Sequence, residues 1–576
     1  MVKNCISRFR VSLFIGLSLT GLAIPGLTLS HSFSGQNVDK QKSGLDKDPN
    51  PGPAKKYPSL LWEISKPGIK KKGYLYGTMH VSRKLAFRLS DTFFTALNAA
   101  EVVALETDPG NWLKYLAEDR QGPAPWQQWM NMAASRDYYS AWSISHPSNQ
   151  GLEYIIRHEE SLADAMLYRR DERQADFSED TYLDMFIYQA GKKLGKQVIG
   201  LEDYRESRLM VARSRGRDID NGNTEERRPR MSRWEASQKL EEAYRSGDLD
   251  LIDSLDRIIS PGKTYRKWML TERNRVMAIQ INRILTSGKS LFAGVGAAHL
   301  PGDSGMIEML RSMGFTVRAV NAKSTAMARK QKEKIESMEY KHAYSLYTSA
   351  NGDFEAQLSG APFQMTFQNG TIRYFLPDPA NGAYILLTSL PYYGKVTGQS
   401  QQHVLNRLDS LLFENVRGKI LQKTNTTQNG FPAIDIRNLT TQGDYQRLLL
   451  VVTPTRIWAI KMAGQGNHVA GKAGDAFYTS LRLLEAPGLN TKWMPYQPAA
   501  GGYTLLWPRE NRFSRSLGDN AEYLQGHRDL EATDFNGNYF FLRRILMHDV
   551  DYVEDDTFEL SWIARGLAAQ FTSDIR

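Results

Sequence analysis

Short apolar runs alternate with helical periodicity from Leu60 to about Val320. Apolar residues such as Leu183, Ile187 and Ala190 recur at helical spacing between these runs, and the runs themselves predict strands. The predicted strands are Gly73–Tyr76, Val102–Leu105, Gln197–Leu201, Ser290–Val295 and Thr316–Val320, and the predicted helices run from a cap at Ser90 to Ala100, from a cap at Asp180 to Leu194, and from Thr264 to Leu285. This alternation predicts an α/β domain with a mainly parallel sheet flanked by helices.

The pattern changes beyond about Tyr344 to short strands separated by turn signals. The predicted elements are the strands Phe354–Leu358, Tyr384–Thr388, Ala433–Arg437, Gln446–Val452 and Ile457–Met462, with helices at Val404–Glu414 and Gly474–Leu483. We therefore expect a smaller, sandwich-like α+β domain. A Gly-Tyr-Thr-Leu-Leu-Trp-Pro segment at 502–508 echoes residues 352–362, which predicts a partial or degenerate C-terminal repeat.

The N-terminus has the pattern of a targeting segment. Lys3, Arg8 and Arg10 precede an apolar stretch from Val11 to Leu29, as in a secretory signal peptide or an uncleaved anchor. The predicted organisation is a signal peptide or anchor (1–33), a linker (34–58), the α/β domain (59–322), a linker or connecting helix (323–343), the α+β domain (344–486) and a C-terminal region (487–576). We expect export to the periplasm or the cell exterior, with a membrane tether through the N-terminal apolar segment as the alternative.

Composition and charge exclude several classes of function. The 576 residues include 73 Lys and Arg against 63 Asp and Glu, a net charge of +10 that is too thinly spread to predict nucleic-acid binding. An arginine-rich stretch at 205–233 is interpreted as a solvated insertion rather than an anion-binding patch. The chain has one cysteine, Cys5, so an internal disulfide framework, a thiolate zinc site and an iron–sulfur cluster are excluded.

Chemically capable residues follow four of the predicted strands. His80, Glu106, Glu202 and His299 each come just after a strand, and parallel strands end at one edge of a sheet. Two imidazoles and a carboxylate are a common ligand set for a catalytic divalent metal, so we predict a metal site formed by His80, His299 and one of the two glutamates, Glu106 or Glu202. Such a metal generates hydroxide near neutral pH. The other glutamate is then a candidate general base or orienting group.

Local features around these residues support the same site. Gly77 and Gly296 each end a strand three residues before a histidine, where glycine permits a sharp turn. Asp303 or Ser304 is expected to cap a helix running to Met313.

Two further candidates lie inside the long third helix. Arg273 is expected to pair with Glu106 or Glu202, or to bind a substrate carboxylate or oxyanion. Asn274 is a poor residue for a helix interior and is expected to reach another group.

Two rival interpretations fit less well. The Gly294-Val-Gly296 segment resembles the start of a dinucleotide fingerprint, but the position of the third glycine is His299. The acidic run at 549–556 lacks the glycine and the ligand spacing of a calcium loop, so a solvated face is the better interpretation.

The ordered motifs of the first domain resemble the TraB/GumN family, which includes the animal Tiki proteins. They are Leu61-Trp-Glu-Ile, Tyr76-Gly-Thr-Met-His80, Leu105-Glu-Thr107, Leu183-Asp184, Gly195-Lys-Gln-Val-Ile-Gly-Leu-Glu202, Glu272-Arg-Asn274 and Val295-Gly-Ala-Ala-His299. The resemblance implies an α/β domain related to erythromycin-esterase-like and ChaN-like proteins. It also implies divalent-metal-dependent peptide hydrolysis, as in the Tiki branch, with His80, His299 and Glu106 as the functional positions.

The second domain resembles the PsbP/Mog1-like sandwich more weakly. The segments that carry this resemblance are Asn351-Gly-Asp-Phe354, Ala361-Pro362, Gly430-Phe-Pro432, Arg447-Leu-Leu-Leu-Val451 and Phe477-Tyr-Thr-Ser-Leu-Arg-Leu483. The resemblance implies that this domain binds a protein partner and performs no chemistry.

The sequence therefore predicts an exported metallohydrolase, most simply a peptidase acting on a peptide or protein. Mn, Co and Zn are each compatible with the ligand set. Two alternatives stay open: a non-catalytic protein that binds haem or a peptide in the same cleft, and a metal-independent, esterase-like hydrolase.

Overall fold

The protein was analysed as a computed structural model with two compact units, Met1–Tyr115 with Phe177–Met338, and Leu116–Asp176 with Glu339–Arg576. The structure describes residues 55–79, 89–111, 149–157, 182–214, 231–260, 262–366, 371–391, 399–416, 418–440, 443–464, 468–484, 493–497, 503–508, 513–515, 528–533, 539–544, 561 and 565. The predicted signal peptide or anchor lies outside these residues. No helix within the described ranges is long and apolar enough to cross a membrane.

The first unit is built on a six-stranded sheet with the order β4-β3-β5-β2-β1-β6. The strands are β1 (Leu61–Lys66), β2 (Ile69–Thr78), β3 (Val102–Leu105), β4 (Gln197–Gly200), β5 (Leu291–Gly296) and β6 (Thr316–Ala319). Strands β4, β3, β5 and β2 run parallel, whereas β1 is antiparallel to β2 and β6. The α/β fold with a mainly parallel sheet is therefore confirmed.

Twelve α-helices are described along the chain. They are α1 (Asp91–Ala99), α2 (Asn149–Arg157), α3 (Leu183–Lys193), α4 (Tyr204–Ser214), α5 (Arg233–Ser246), α6 (Leu249–Ile259), α7 (Lys263–Arg266), α8 (Glu272–Thr286), α9 (Met306–Ser312), α10 (Ala326–Ser337), α11 (Gln401–Asn415) and α12 (Lys472–Ser480). Ser90 caps α1 as predicted, because its hydroxyl accepts from Phe93 N at 3.0 Å. The predicted cap Asp180 lies outside the described residues.

The central strands are apolar because helices cover both faces of a parallel sheet. Every residue of β3 and of β5 is buried. Helix α3 packs closely on them: a Cβ added at Gly294 would lie 2.9 Å from Ile187 Cδ1. Glycine at this position thus lets the helix approach the sheet, and the helix carries its first turn to the carboxyl end of β2.

One predicted helix cap is wrong. Helix α9 begins after Gly305, with no side-chain cap, rather than at Asp303 or Ser304. A Cβ at position 305 would lie 2.2 Å from Pro301 O, so the carbonyl groups of the preceding turn leave room only for glycine.

The second unit contains a seven-stranded antiparallel sheet with the order β12-β13-β14-β15-β11-β10-β9. Its strands are β9 (Phe363–Thr366), β10 (Ile372–Asp378), β11 (Ala383–Pro391), β12 (Lys419–Gln428), β13 (Phe431–Leu439), β14 (Tyr445–Val452) and β15 (Arg456–Gly464). A three-stranded sheet joins β16 (Arg482–Leu483), β8 (Phe354–Leu358) and β7 (Ser345–Thr348). The predicted helix Gly474–Leu483 ends earlier, at Ser480, and its last residues form β16.

The C-terminal part adds two small antiparallel sheets. One pairs β17 (Trp493–Tyr496) with β18 (Leu505–Pro508), and the other joins β19 (Phe513–Arg515), β20 (Arg528–Thr533) and β21 (Tyr539–Arg544). The predicted degenerate repeat stays a prediction.

Helix α2 belongs to the second unit, although it lies between β3 and α3 in the sequence. Its buried side chains join those of α11 and of the seven-stranded sheet in one apolar cluster, which includes Leu152, Ile155, Ile156, Val404, Leu408, Leu412, Ile434, Ile436, Leu448 and Leu450. Polar contacts hold the end of α2: Arg157 Nη2 donates to Glu414 O at 3.2 Å, and the buried Lys461 ammonium donates to Ile156 O.

Candidate functional site

The register of the parallel strands brings two glutamates together. Leu105 lies opposite Gly294 on β5 and Gly200 on β4, so the residues that follow these strands leave the sheet side by side. The main chain continues the pairing, since Glu202 N donates to Glu106 O at 2.9 Å. Both glutamates are buried. The two carboxylates predicted from separate strands therefore share one edge of the sheet.

Arg273 connects these two carboxylates. Its Nη2 donates to Glu106 Oε2 at 2.6 Å, and its Nε donates to both carboxylate oxygens of Glu202 at 3.0 Å. The side chain of Arg273 is fully buried, and its Nη1 has no hydrogen-bond partner within the described part of the chain. Burial alone would lower the pKa of Arg273, but Glu202 and Glu106 raise it above its usual value. The guanidinium is therefore permanently charged.

The helix that carries Arg273 is irregular just before it. A π-helical turn, Lys267–Thr271, separates α7 from α8. Such turns are rare in proteins as a whole, and those that occur are often found at functional sites. Here Glu272 follows the turn, and after it come two buried polar residues, Arg273 and Asn274.

Asn274 fixes the orientation and tautomer of His299. Its Nδ2 donates to Ser304 O at 2.8 Å, which leaves its Oδ1 to face His299 Nδ1 at 2.6 Å. An amide oxygen only accepts, so Nδ1 of the imidazole carries the proton. In the neutral ring, Nε2 then holds the lone pair that a metal or a proton needs.

The Nε2 side of the His299 ring lies close to Glu106. His299 Nε2 is 3.7 Å from Glu106 Oε1, which also accepts from Gly296 N at 2.7 Å. Metal–ligand bonds of about 2.0–2.2 Å place two ligands of one ion no more than about 4.4 Å apart. This pair therefore fits a shared divalent ion. His80, the third predicted ligand, lies outside the described residues, within which no group of three or more His, Cys, Asp or Glu side chains is arranged to hold a metal.

The carboxyl group of Glu202 has a pKa well above its usual value. Its pKa is raised to about 7: burial is the largest cause, the charge of Glu106 adds to it, and Arg273 opposes both effects. Glu202 can therefore gain or lose a proton near neutral pH, as a general acid or base must.

The raised pKa of Glu202 predicts how the stability of the folded protein depends on pH. Between about pH 4.5 and 7 the folded protein holds the Glu202 proton that the unfolded chain has lost, so stability should fall as the pH rises, by up to about 1.4 kcal/mol per pH unit. Glu202→Gln should remove this slope while keeping an acceptor for Arg273. Urea unfolding from pH 4.5 to 8 measures it, with the exposed Glu333→Gln as control. A slope identical to that of the wild type would contradict the assignment.

The structure brings Glu106, Glu202, Arg273, Asn274 and His299 into one cluster. Arg273 pairs with both glutamates rather than with one of them.

Three neighbouring residues were given no role by the sequence. Thr78 Oγ1 donates to Asp184 Oδ1 at 2.5 Å, and Tyr244 OH donates to Gly77 O at 2.9 Å. The signal available for Asp184 was its polarity at the start of an otherwise apolar helix, whereas Tyr244 gave none because tyrosines are common in cores.

Comparisons with known proteins support a family assignment for the first part of the chain. Residues 60–319 match the TraB/PrgY/gumN family. No curated protein matches the sequence. Among solved structures, a protein from Bacteroides thetaiotaomicron VPI-5482 is 10% identical with a TM-score of 0.18, the match covering 26% of this chain and 50% of that one. A Pseudomonas aeruginosa protein of unknown function, described as a putative regulator, is 11% identical with a TM-score of 0.16, covering 23% of this chain and 91% of that one.

Scores this low carry no conclusion about fold or function, and the match spans half the length of the Bacteroides protein. The family match has a firmer basis, since it spans every strand of the parallel sheet and every residue of the described cluster. Residues 60–319 of this chain belong to the TraB/PrgY/gumN family.

Proposed function

We propose that this protein is a metal-dependent hydrolase, most simply a peptidase, whose active site is the cluster around Glu106 and His299. The observation that carries the proposal is the 3.7 Å approach of His299 Nε2 to Glu106 Oε1, with Nδ1 of the same ring held by Asn274. That arrangement supports a neutral imidazole and a carboxylate directed at one ion. His80 is the proposed third ligand, from its position two residues after β2 in the sequence.

A divalent ion held there would supply a water that ionises near neutral pH and would polarise a carbonyl. Glu202, with its pKa raised to about 7, would take a proton from the attacking water and return it to the leaving amine. Arg273 keeps its charge and presents the buried Nη1, which suits it to stabilise a developing oxyanion. These roles use every polar side chain of the described cluster.

The test is cleavage of a mixed peptide library by the full chain, before and after a chelator and after cobalt is returned. We expect the chelator to abolish cleavage and cobalt to restore it. His299→Ala should lower the rate by more than about 100-fold, because even groups that only orient a metal ligand account for roughly 10–100-fold. His403→Ala, which removes an exposed histidine of α11, is the matched control.

Two other outcomes would favour a different function. Cleavage of esters that survives the chelator would replace the proposal by a metal-independent hydrolase. Stoichiometric binding of peptide or haem without turnover, at full metal occupancy, would replace it by a binding protein.

A further inference from the structure

A buried polar network surrounds the carboxyl end of β2, beside the cluster described above. Thr78, Tyr76, Tyr244 and Asp184 are all buried. Thr78 Oγ1 donates to Asp184 Oδ1 on the first turn of α3 at 2.5 Å. Tyr244 OH, from α5, donates to Gly77 O at 2.9 Å and also hydrogen-bonds Tyr76. Two helices thus hold two consecutive residues at the end of one strand.

The same strand end touches the turn that carries His299. A Cβ added at Gly77 would lie 3.2 Å from both Cα and Cβ of Ala297 and 3.3 Å from Leu300 Cδ2. Gly77 therefore allows β2 to approach the Ala297–His299 turn at van der Waals distance. A small displacement of Gly77 would move this turn or open a gap beside it.

We infer that Thr78, Asp184 and Tyr244 are positioning residues, which fix the end of β2 against the Ala297–His299 turn and so fix the position of His299. The inference rests on the proposed function for its consequence, since His299 is a proposed metal ligand. A positioning role also explains why the polar side chains of Thr78, Asp184 and Tyr244 are buried, although burial of polar groups costs free energy. A buried hydroxyl–carboxylate hydrogen bond holds a strand end more rigidly than apolar packing, because its direction is specified.

The inference predicts that metal affinity depends on two hydroxyl groups whose described hydrogen-bond partners, Asp184 and the carbonyl of Gly77, are not proposed metal ligands. Thr78→Val keeps the shape of the side chain and removes the donor to Asp184, and Tyr244→Phe removes the donor to Gly77 O. Each should weaken cobalt binding to the full chain by roughly 10–100-fold, measured by visible absorption titration. Thr78→Ser restores the donor and should bind as the wild type does. Tyr74→Phe, which alters a hydroxyl of the same strand that faces Glu63, should have no effect.

A second measurement separates this inference from the proposed function. The ring signal of His299 in protein with ¹³C-labelled histidine, identified by its loss in His299→Ala, reports the turn without any metal. It should move in Thr78→Val and Tyr244→Phe and stay in Thr78→Ser and Tyr74→Phe. If the wild type binds no cobalt, the proposed function is contradicted, and the His299 ring signal is then the test of the positioning role. An unchanged His299 signal in both Thr78→Val and Tyr244→Phe would overturn the inference. If the wild type binds cobalt, an unchanged cobalt affinity in these variants would overturn it as well. If Tyr244→Phe fails to fold, the comparison of Thr78→Val with Thr78→Ser is sufficient.

Discussion

Replacing Arg273 by methionine should destabilise the first unit by about 3–5 kcal/mol, because it leaves two buried carboxylates without their shared cation. The buried side chains of Glu106 and Glu202 would then face each other without the guanidinium that now binds both. Hydrogen–deuterium exchange resolved by segment measures the effect, since protection of α8 and β5 should fall together. Arg275→Met is the matched control: Arg275 lies on the same helix, is largely exposed, and within the described residues forms its ion pair with Glu272.

The cause of this loss can be isolated. If uncompensated charge is responsible, combining Arg273→Met with Glu106→Gln and Glu202→Gln should recover much of the protection, since the remaining groups are neutral. If no exchange protection is recovered, the loss is instead caused by altered packing. A single Arg273→Met variant less than about 1 kcal/mol below the wild type would contradict the electrostatic account.

Replacing Lys461 by methionine should abolish a rise in stability of the second unit with pH. Burial lowers the pKa of this lysine to about 7. Between about pH 7 and 10 the unfolded chain therefore binds a proton that the folded chain has released, so stability rises with pH, by up to about 1.4 kcal/mol per unit. Methionine fills a similar volume without a charge, and the variant should show no such rise.

Exchange of the β15 amides at pH 6.5 and pH 9, corrected for intrinsic rates, measures this slope. Lys419→Met, at an exposed position of β12, should keep the slope of the wild type. The loss of the bond from Lys461 to Ile156 O should appear separately, as faster exchange in α2 at every pH. Equal slopes for Lys461→Met and the wild type would show that the ammonium is not desolvated.

The central strands of the first unit could be predicted because their burial leaves a plain sequence signal, whereas β1 (Leu61–Lys66) was missed. Val102–Leu105 is predicted and observed with the same ends, since a strand covered on both faces must be apolar throughout. The convergence of Glu106, Glu202 and His299 followed from the parallel arrangement. The sequence could not show that Arg273 bridges both carboxylates, because this depends on the phase of a helix interrupted by a π turn.

Other features escaped prediction for physical reasons. The start of α9 was assigned to Asp303 or Ser304 from capping preference, but crowding by Pro301 O decides it in favour of Gly305. Asp184 and Tyr244 interact with a strand more than a hundred residues distant in the sequence. The sequence around Asp184 and Tyr244 therefore gives no indication of their contacts with β2.

Helix α2 has a consequence for how the molecule can be divided. The polypeptide leaves the first unit after Tyr115, contributes α2 to the second, re-enters the first at Phe177 and crosses again after Met338. The limits of the family match, 60–319, are therefore not the limits of an autonomously folding body. Cutting the polypeptide once between Met338 and Glu339 would leave the two bodies joined through α2, and expressing the upstream fragment alone would expose Leu152, Ile155 and Ile156 to water.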